Sequence, residues 1–125
     1  MAELQRALVI DDERMVLSML ERQLPAKGFS VDLADNGVEG LLRFIDHDCA
    51  FVLLDIAMPR LNGTDTLRIM KRLKPAIPIV TITGHVGQGQ MAETVRLGAV
   101  ACLPKPFVMD EVLRLVAEPG WAKTA

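Results

Sequence analysis

Phe51-Val52-Leu53-Leu54-Asp55 is the stretch on which the fold turns. Four core-type side chains follow one another without a polar interruption, the pattern of a central strand covered by helices on both faces, and the run ends on a carboxylate. Three other runs have the same form. Ala7-Leu8-Val9-Ile10 leads into Asp11-Asp12, Ile79-Val80-Thr81-Ile82 leads into Thr83, and Lys105 stands just beyond Val100-Ala101-Cys102-Leu103. If these runs are neighbouring parallel strands, their carboxyl ends meet in one crevice, where open α/β sheets hold their ligands. Three carboxylates, a hydroxyl and an ammonium then share a small space. Such acids repel one another unless a divalent cation sits among them, and a cation beside a lysine makes a receptacle for a phosphoryl group.

Working outward, short apolar runs alternate with stretches at helical spacing, the signature of five βα units and a parallel sheet. Val16, Leu20 and Leu24 make the stripe of a first helix, closed by Pro25 and Gly28. A second strand is expected over Val31 to Ala34. Asp35-Asn36-Gly37 marks a turn, and Val38, Leu41, Leu42 and Ile45 follow at the spacing of a second helix. After a loop punctuated by Pro59 and Asn62-Gly63, Leu67, Met70 and Leu73 carry a third helix as far as Pro75. Gly84, Gly87 and Gly89 give the next loop freedom; Met91 and Val95 mark a short fourth helix, and Gly98 fits its C-terminal cap. Met109, Val112, Leu113 and Val116 form the last stripe, stopped by Pro119-Gly120. Residues 5–118 are expected to form one domain, with residues 119–125 as a loose tail.

Composition narrows the partners. The chain has 125 residues, half of them hydrophobic, with 14 basic against 16 acidic side chains and a formal charge of −2. That length suits one domain with a real core. It carries no basic field to hold nucleic acid or an anionic membrane. No apolar stretch approaches the roughly 20 residues that span a bilayer, and Met1-Ala2-Glu3 opens no secretion signal, so a cytoplasmic setting is expected. Cys49 and Cys102 stand far apart in or beside strands and read as reduced, buried thiols.

Together, Val9-Ile10-Asp11-Asp12, Leu53-Leu54-Asp55 with Met58-Pro59 and Gly63, Thr81-Ile82-Thr83-Gly84, and Leu103-Pro104-Lys105-Pro106-Phe107 resemble, in order and spacing, the receiver domain of bacterial two-component response regulators. The resemblance runs from about Ala7 to Val116. It implies a flavodoxin-like (βα)5 doubly wound fold with strand order 2-1-3-4-5. It implies that Asp55 accepts a phosphoryl group from a phosphohistidine on a sensor histidine kinase or histidine phosphotransfer protein. Asp12 and Asp55 would bind Mg2+ directly, with Asp11 helping through water and the backbone carbonyl of Ala57 adding an oxygen. Lys105 would pair with one phosphoryl oxygen and the Thr83 hydroxyl donate to another. The Lys105-Pro106 bond would be cis. Drawn toward the phosphoryl group, Thr83 would bias the surface of the fourth helix, fifth strand and fifth helix, where a second copy or an output domain would dock. Such a domain is a regulatory phosphoacceptor, not an enzyme acting on other molecules.

The chain departs from the family pattern at Cys102, which stands where receivers usually carry an aromatic residue three positions before the lysine. Ala57 and His85 lie where side chains tune attack by water on the phosphoaspartate. Taken singly, each residue has a plainer reading: Asp11 and Asp12 as helix caps, Asp55 as a turn residue, Thr83 as an ordinary strand residue, Lys105 as a solvated surface group. His47 and His85 read as a surface and a loop residue. Other functions remain as alternatives. A degenerate receiver would serve only as a protein-docking module. An aspartate-nucleophile phosphatase needs a second acid where Ala57 stands, and a flavin or nucleotide module would want a glycine- or hydroxyl-rich first loop where this chain has acids.

Overall fold

Aliphatic and β-branched runs form five strands and the periodic stretches between them form five helices. The elements are β1 (Gln5–Ile10), α1 (Arg14–Ala26), β2 (Phe29–Ala34), α2 (Gly37–Asp46), β3 (Phe51–Asp55), α3 (Gly63–Leu73), β4 (Ile79–Thr83), α4 (Gln88–Arg96), β5 (Ala101–Pro104) and α5 (Met109–Val116). The computed structural model describes residues 5–58, 62–84 and 88–117. The sheet is parallel, in the order β2-β1-β3-β4-β5, as the resemblance implies. Pro59, His85, Gly87 and the expected tail lie outside the described residues.

Side chains alternate across the sheet. Ala7, Val9, Phe51, Leu53, Val80 and Ile82 pack toward Leu20 and Leu24 of α1 and Met109 and Val112 of α5. Leu8, Ile10, Val52, Leu54 and Ile79 pack the other way, against Phe44 of α2 and Leu67 and Met70 of α3. β3 and β4 are buried along their whole length, which is why their sequences show no alternation.

Asn36 and Asn62, met in the sequence as turn signals, are the N-caps of α2 and α3, each side chain accepting a bond from the third residue beyond it. Gly98 closes α4 with φ +114°, a conformation that favours glycine. α1 runs through Pro25 to Ala26, so the proline lies in its last turn.

Three helix stripes differ from expectation. In α2 the buried residues are Gly37, Gly40 and Phe44, whereas Val38, Leu42 and Ile45 are more than half exposed. The reason is close packing: a Cβ on Gly40 would lie 2.4 Å from Ile10 Cδ1, so the helix presents its glycines to β1 and turns its aliphatics aside. In α3, Leu73 is half exposed, and in α4, Val95 points outward while Thr94 is buried. The Thr94 hydroxyl shares a 3.0 Å hydrogen bond with that of Thr81, which satisfies both polar groups inside the core.

Candidate functional site

Strand register brings the polar ends together. Ile10 is paired with Leu54, so Asp11 and Asp55, each the next residue, emerge side by side. Asp55 is level with Ile82 and Thr83 with Pro104, which sets Thr83 and Lys105 along the same rim. The Lys105 N–H donates to the Thr83 carbonyl at 2.8 Å, and the Lys105-Pro106 bond is cis.

Asp11 and Asp55 are buried and Asp12 is exposed. Asp11 Oδ1 accepts from the Glu13 N–H at 2.8 Å and Asp55 Oδ1 from the Ala57 N–H at 2.9 Å; each carboxylate is thus oriented by the loop that follows it. Their other oxygens converge on one cation. Lys105 Nζ lies 2.9 Å from Asp11 Oδ2 and 3.2 Å from Asp55 Oδ2, and it also donates to Glu13 Oε1. Thr83 is buried at the tip of β4.

The loop after Asp55 is fixed from the far side by Gly63. A Cβ there would fall 2.2 Å from Ile56 Cα and 2.6 Å from the Asp55 carbonyl oxygen. The contact is with backbone, which cannot swing away, so only glycine lets the start of α3 press against the chain beside the acid.

Electrostatics at the rim are unbalanced. Burial pushes the Asp11 carboxyl up to about 6; the Glu13 N–H and Lys105 oppose the shift, and the Asp55 charge adds to it. Burial pulls the Lys105 ammonium down, but its bonds to Glu13 and Asp11 outweigh this and hold it above the usual lysine range. Three acids, Asp11, Glu13 and Asp55, share one ammonium, and Asp12 lies beside Asp11 and Asp55.

Asp11, Asp12 and Asp55 each present a carboxylate oxygen within 4.8 Å of the others. A hard divalent cation takes such an all-oxygen set, and the elevated pKa of Asp11 marks a buried acid short of positive charge. The residues therefore fit a magnesium ion. Every site residue named from the sequence in the described region lies at this rim: Asp11, Asp12, Asp55, Ala57, Thr83 and Lys105. Glu13 was missed. Its signal was present as the third acid in Asp11-Asp12-Glu13, but an acid opening a helix usually reads as favourable first-turn charge.

Residues 7–117 match the family described as the response regulator receiver domain. The chain belongs to the response regulator receiver family. This receiver is 37% identical over 108 residues to the response regulator MprA of Mycobacterium sp. (strain KMS), a match that covers 86% of the chain and 47% of MprA. The receiver thus spans about half the length of the curated relatives it matches. Among solved structures, it superposes on a CheY-like response regulator receiver domain protein from Methanospirillum hungatei JF-1 with a TM-score of 0.89 at 26% identity, covering 98% of this chain and 99% of that one. It superposes on NtrX from Brucella abortus with a TM-score of 0.83 at 30% identity, covering 96% of this chain and 28% of NtrX. The receiver is thus the regulatory domain of a two-component system. No helix among its described residues is long and apolar enough to cross a membrane.

Proposed function

We propose that this receiver is a phosphorylation-driven switch in which Asp55 takes a phosphoryl group from a phosphohistidine on a sensor histidine kinase or a histidine phosphotransfer protein. One observation carries the reading: Lys105 Nζ touches both Asp11 and Asp55 at a shared rim. A carboxylate oxygen of Asp55 attacks phosphorus, the phosphorus–nitrogen bond of the donor breaks, and the histidine leaves with the electron pair. Because the transition state spreads charge over the equatorial oxygens, the chain must supply positive charge there. Lys105 supplies it as a point charge. Asp12 and Asp55 would hold Mg2+, Asp11 through water, and the Ala57 carbonyl would add an oxygen. When bound, the ion neutralises the acids and the transferred group. Such a domain assists its own phosphorylation and dephosphorylation and turns over no external substrate.

The readout runs through Thr83, whose hydroxyl donates to the new phosphoryl oxygen and draws the loop after β4 with it. That movement is passed to the α4-β5-α5 surface, the expected contact for an output domain or second copy. Cys102 is half-buried on β5, and the sequence contains no Tyr, so repacking of small groups replaces the usual ring swing.

The test is intact-mass spectrometry after incubation with acetyl phosphate and Mg2+. The wild type gains one phosphoryl group and Asp55→Asn gains none. An adduct that persists in the variant would remove Asp55 from its role, and no adduct in either protein would favour a docking module.

A further inference from the structure

At the amino edge of the sheet, between α5 and the starts of β1, β2 and β3, a pocket of about 430 Å³ opens to solvent. Phe29, Phe51, Leu113 and Val116 give it apolar walls, and Gln5 and Ala117 also line it. Phe29, Leu113 and Val116 are only partly buried, so each keeps apolar surface whose removal from water would be favourable. The volume lies in the range of about 300–1,000 Å³ that holds a small organic group. One aromatic side chain fits.

The described residues end at Ala117, itself part of that lining. α5 stops at Val116, and Ala117 caps it, its N–H donating to the Leu113 and Leu115 carbonyls. Pro119 comes two residues later and cannot extend a helix, while Gly120 can take the left-handed backbone that a reversal of the chain needs. Trp121 follows at once, the one large apolar side chain in residues 118–125. Four residues span at most about 14 Å, so the indole is tethered within reach of a pocket whose lining includes the residue it departs from. The rival in sequence is Leu4, next to Gln5. Side chains alternate along a strand; Gln5 falls in step with Ala7 and Val9, which pack toward α5, and Leu4 falls out of step with them.

We infer that this pocket is an intramolecular site for the Trp121 indole. The ring covers Phe29, Leu113 and Val116, and the Gln5 carboxamide oxygen accepts from the indole N–H, the kind of polar partner a buried tryptophan usually finds. Seated there, it braces the end of α5 against the starts of the strands. The sequence has one Trp and no Tyr, so the fluorescence of the whole chain reports this side chain alone. In the folded protein the emission is blue-shifted, and quenching by acrylamide is several-fold weaker than in urea. Val116→Asp, which sets a charge on the pocket wall, brings both readings close to their urea values. Ala117→Glu, at an exposed residue outside the core, moves both in the same direction and decides the matter if Val116→Asp fails to fold by far-UV circular dichroism. The protection is the same at every protein concentration, because ring and pocket belong to one chain. An indole open to quencher in the folded wild type overturns the proposal. So does a buried indole that no folded pocket variant exposes, which places the ring elsewhere, and so does protection that grows with concentration, which places it in a second copy.

Discussion

At the carboxyl ends of the strands, Asp11 and Asp55 crowd a single lysine. At the amino ends of the same sheet, Phe29 and Phe51 meet edge to face with centroids 5.2 Å apart, beside an open apolar pocket of about 430 Å³ lined also by Gln5, Ala50, Leu113, Val116 and Ala117. β3 contributes to both, beginning on a buried phenylalanine and ending on a buried acid. The amino end gains free energy from apolar burial and aromatic contact. The carboxyl end spends some of it, because like charges are desolvated together. A parallel sheet separates the two properties along its strands: one rim stabilises the fold, and the other keeps an uncompensated charge, the feature on which the proposed function rests.

The sharpest way to break this division is Phe51→Ala. Deleting a fully buried ring costs about 3–5 kcal/mol, read as a lower urea midpoint, while the folded fraction keeps its rate of phosphoryl acceptance from acetyl phosphate. A fall in that rate, measured where the variant is still folded, would show that the rims are not independent. At the other end, Lys105→Met should slow acceptance on the order of 100-fold, about 2.7 kcal/mol in barrier. Removing the ammonium that Asp11, Glu13 and Asp55 share should also make Mg2+ raise the melting temperature by more than it does in wild type. An unchanged rate would take the lysine out of the mechanism.

The same contrast explains what could be read from the sequence. The strands and the rim acids were legible because unbroken apolar runs and polar terminators are local signals, and parallel pairing brings the terminators together; the strand order came from the resemblance to the receiver family. The exposed flank of α2 was not legible. Val38, Leu41, Leu42 and Ile45 have ideal helical spacing, yet the helix is held by Gly40 under Ile10 and by Phe44, and a stripe count gives glycine no weight. Thr94 was hidden for a related reason: its partner is Thr81, and a satisfied buried hydroxyl has no sequence pattern. Glu13 was not singled out because its partner, Lys105, lies 92 residues away in the sequence.

Acidification probes the charged rim without mutation. The Asp11 carboxyl titrates near 6 when folded, against 3.8 as its reference value. A carboxyl raised in the native state favours the protonated fold, so its contribution is fully present below 3.8 and is lost as pH rises through 6. The metal-free protein should gain on the order of 1–2 kcal/mol from this group between pH 7.5 and pH 5. Millimolar Mg2+ should flatten the trend by stabilising the ionised form at the upper end. Thermal melts at both pH values, with and without the ion, measure it. A metal-free protein that loses stability on mild acidification would mean that Asp11 is already compensated.

The smallest expected effect separates holding the lysine from using it. Glu13 is largely exposed, so Glu13→Gln should change stability by less than about 1 kcal/mol. It also removes one of the three carboxylates that claim Lys105 Nζ, freeing the ammonium for a phosphoryl oxygen. Acceptance from acetyl phosphate should therefore rise by a few-fold, with the fold unaltered. If the rate falls instead, Glu13 is positioning the lysine, not competing for it. The rim would then depend on its exposed acid as much as on its buried ones, and its contrast with the apolar end would lie in solvent access more than in charge.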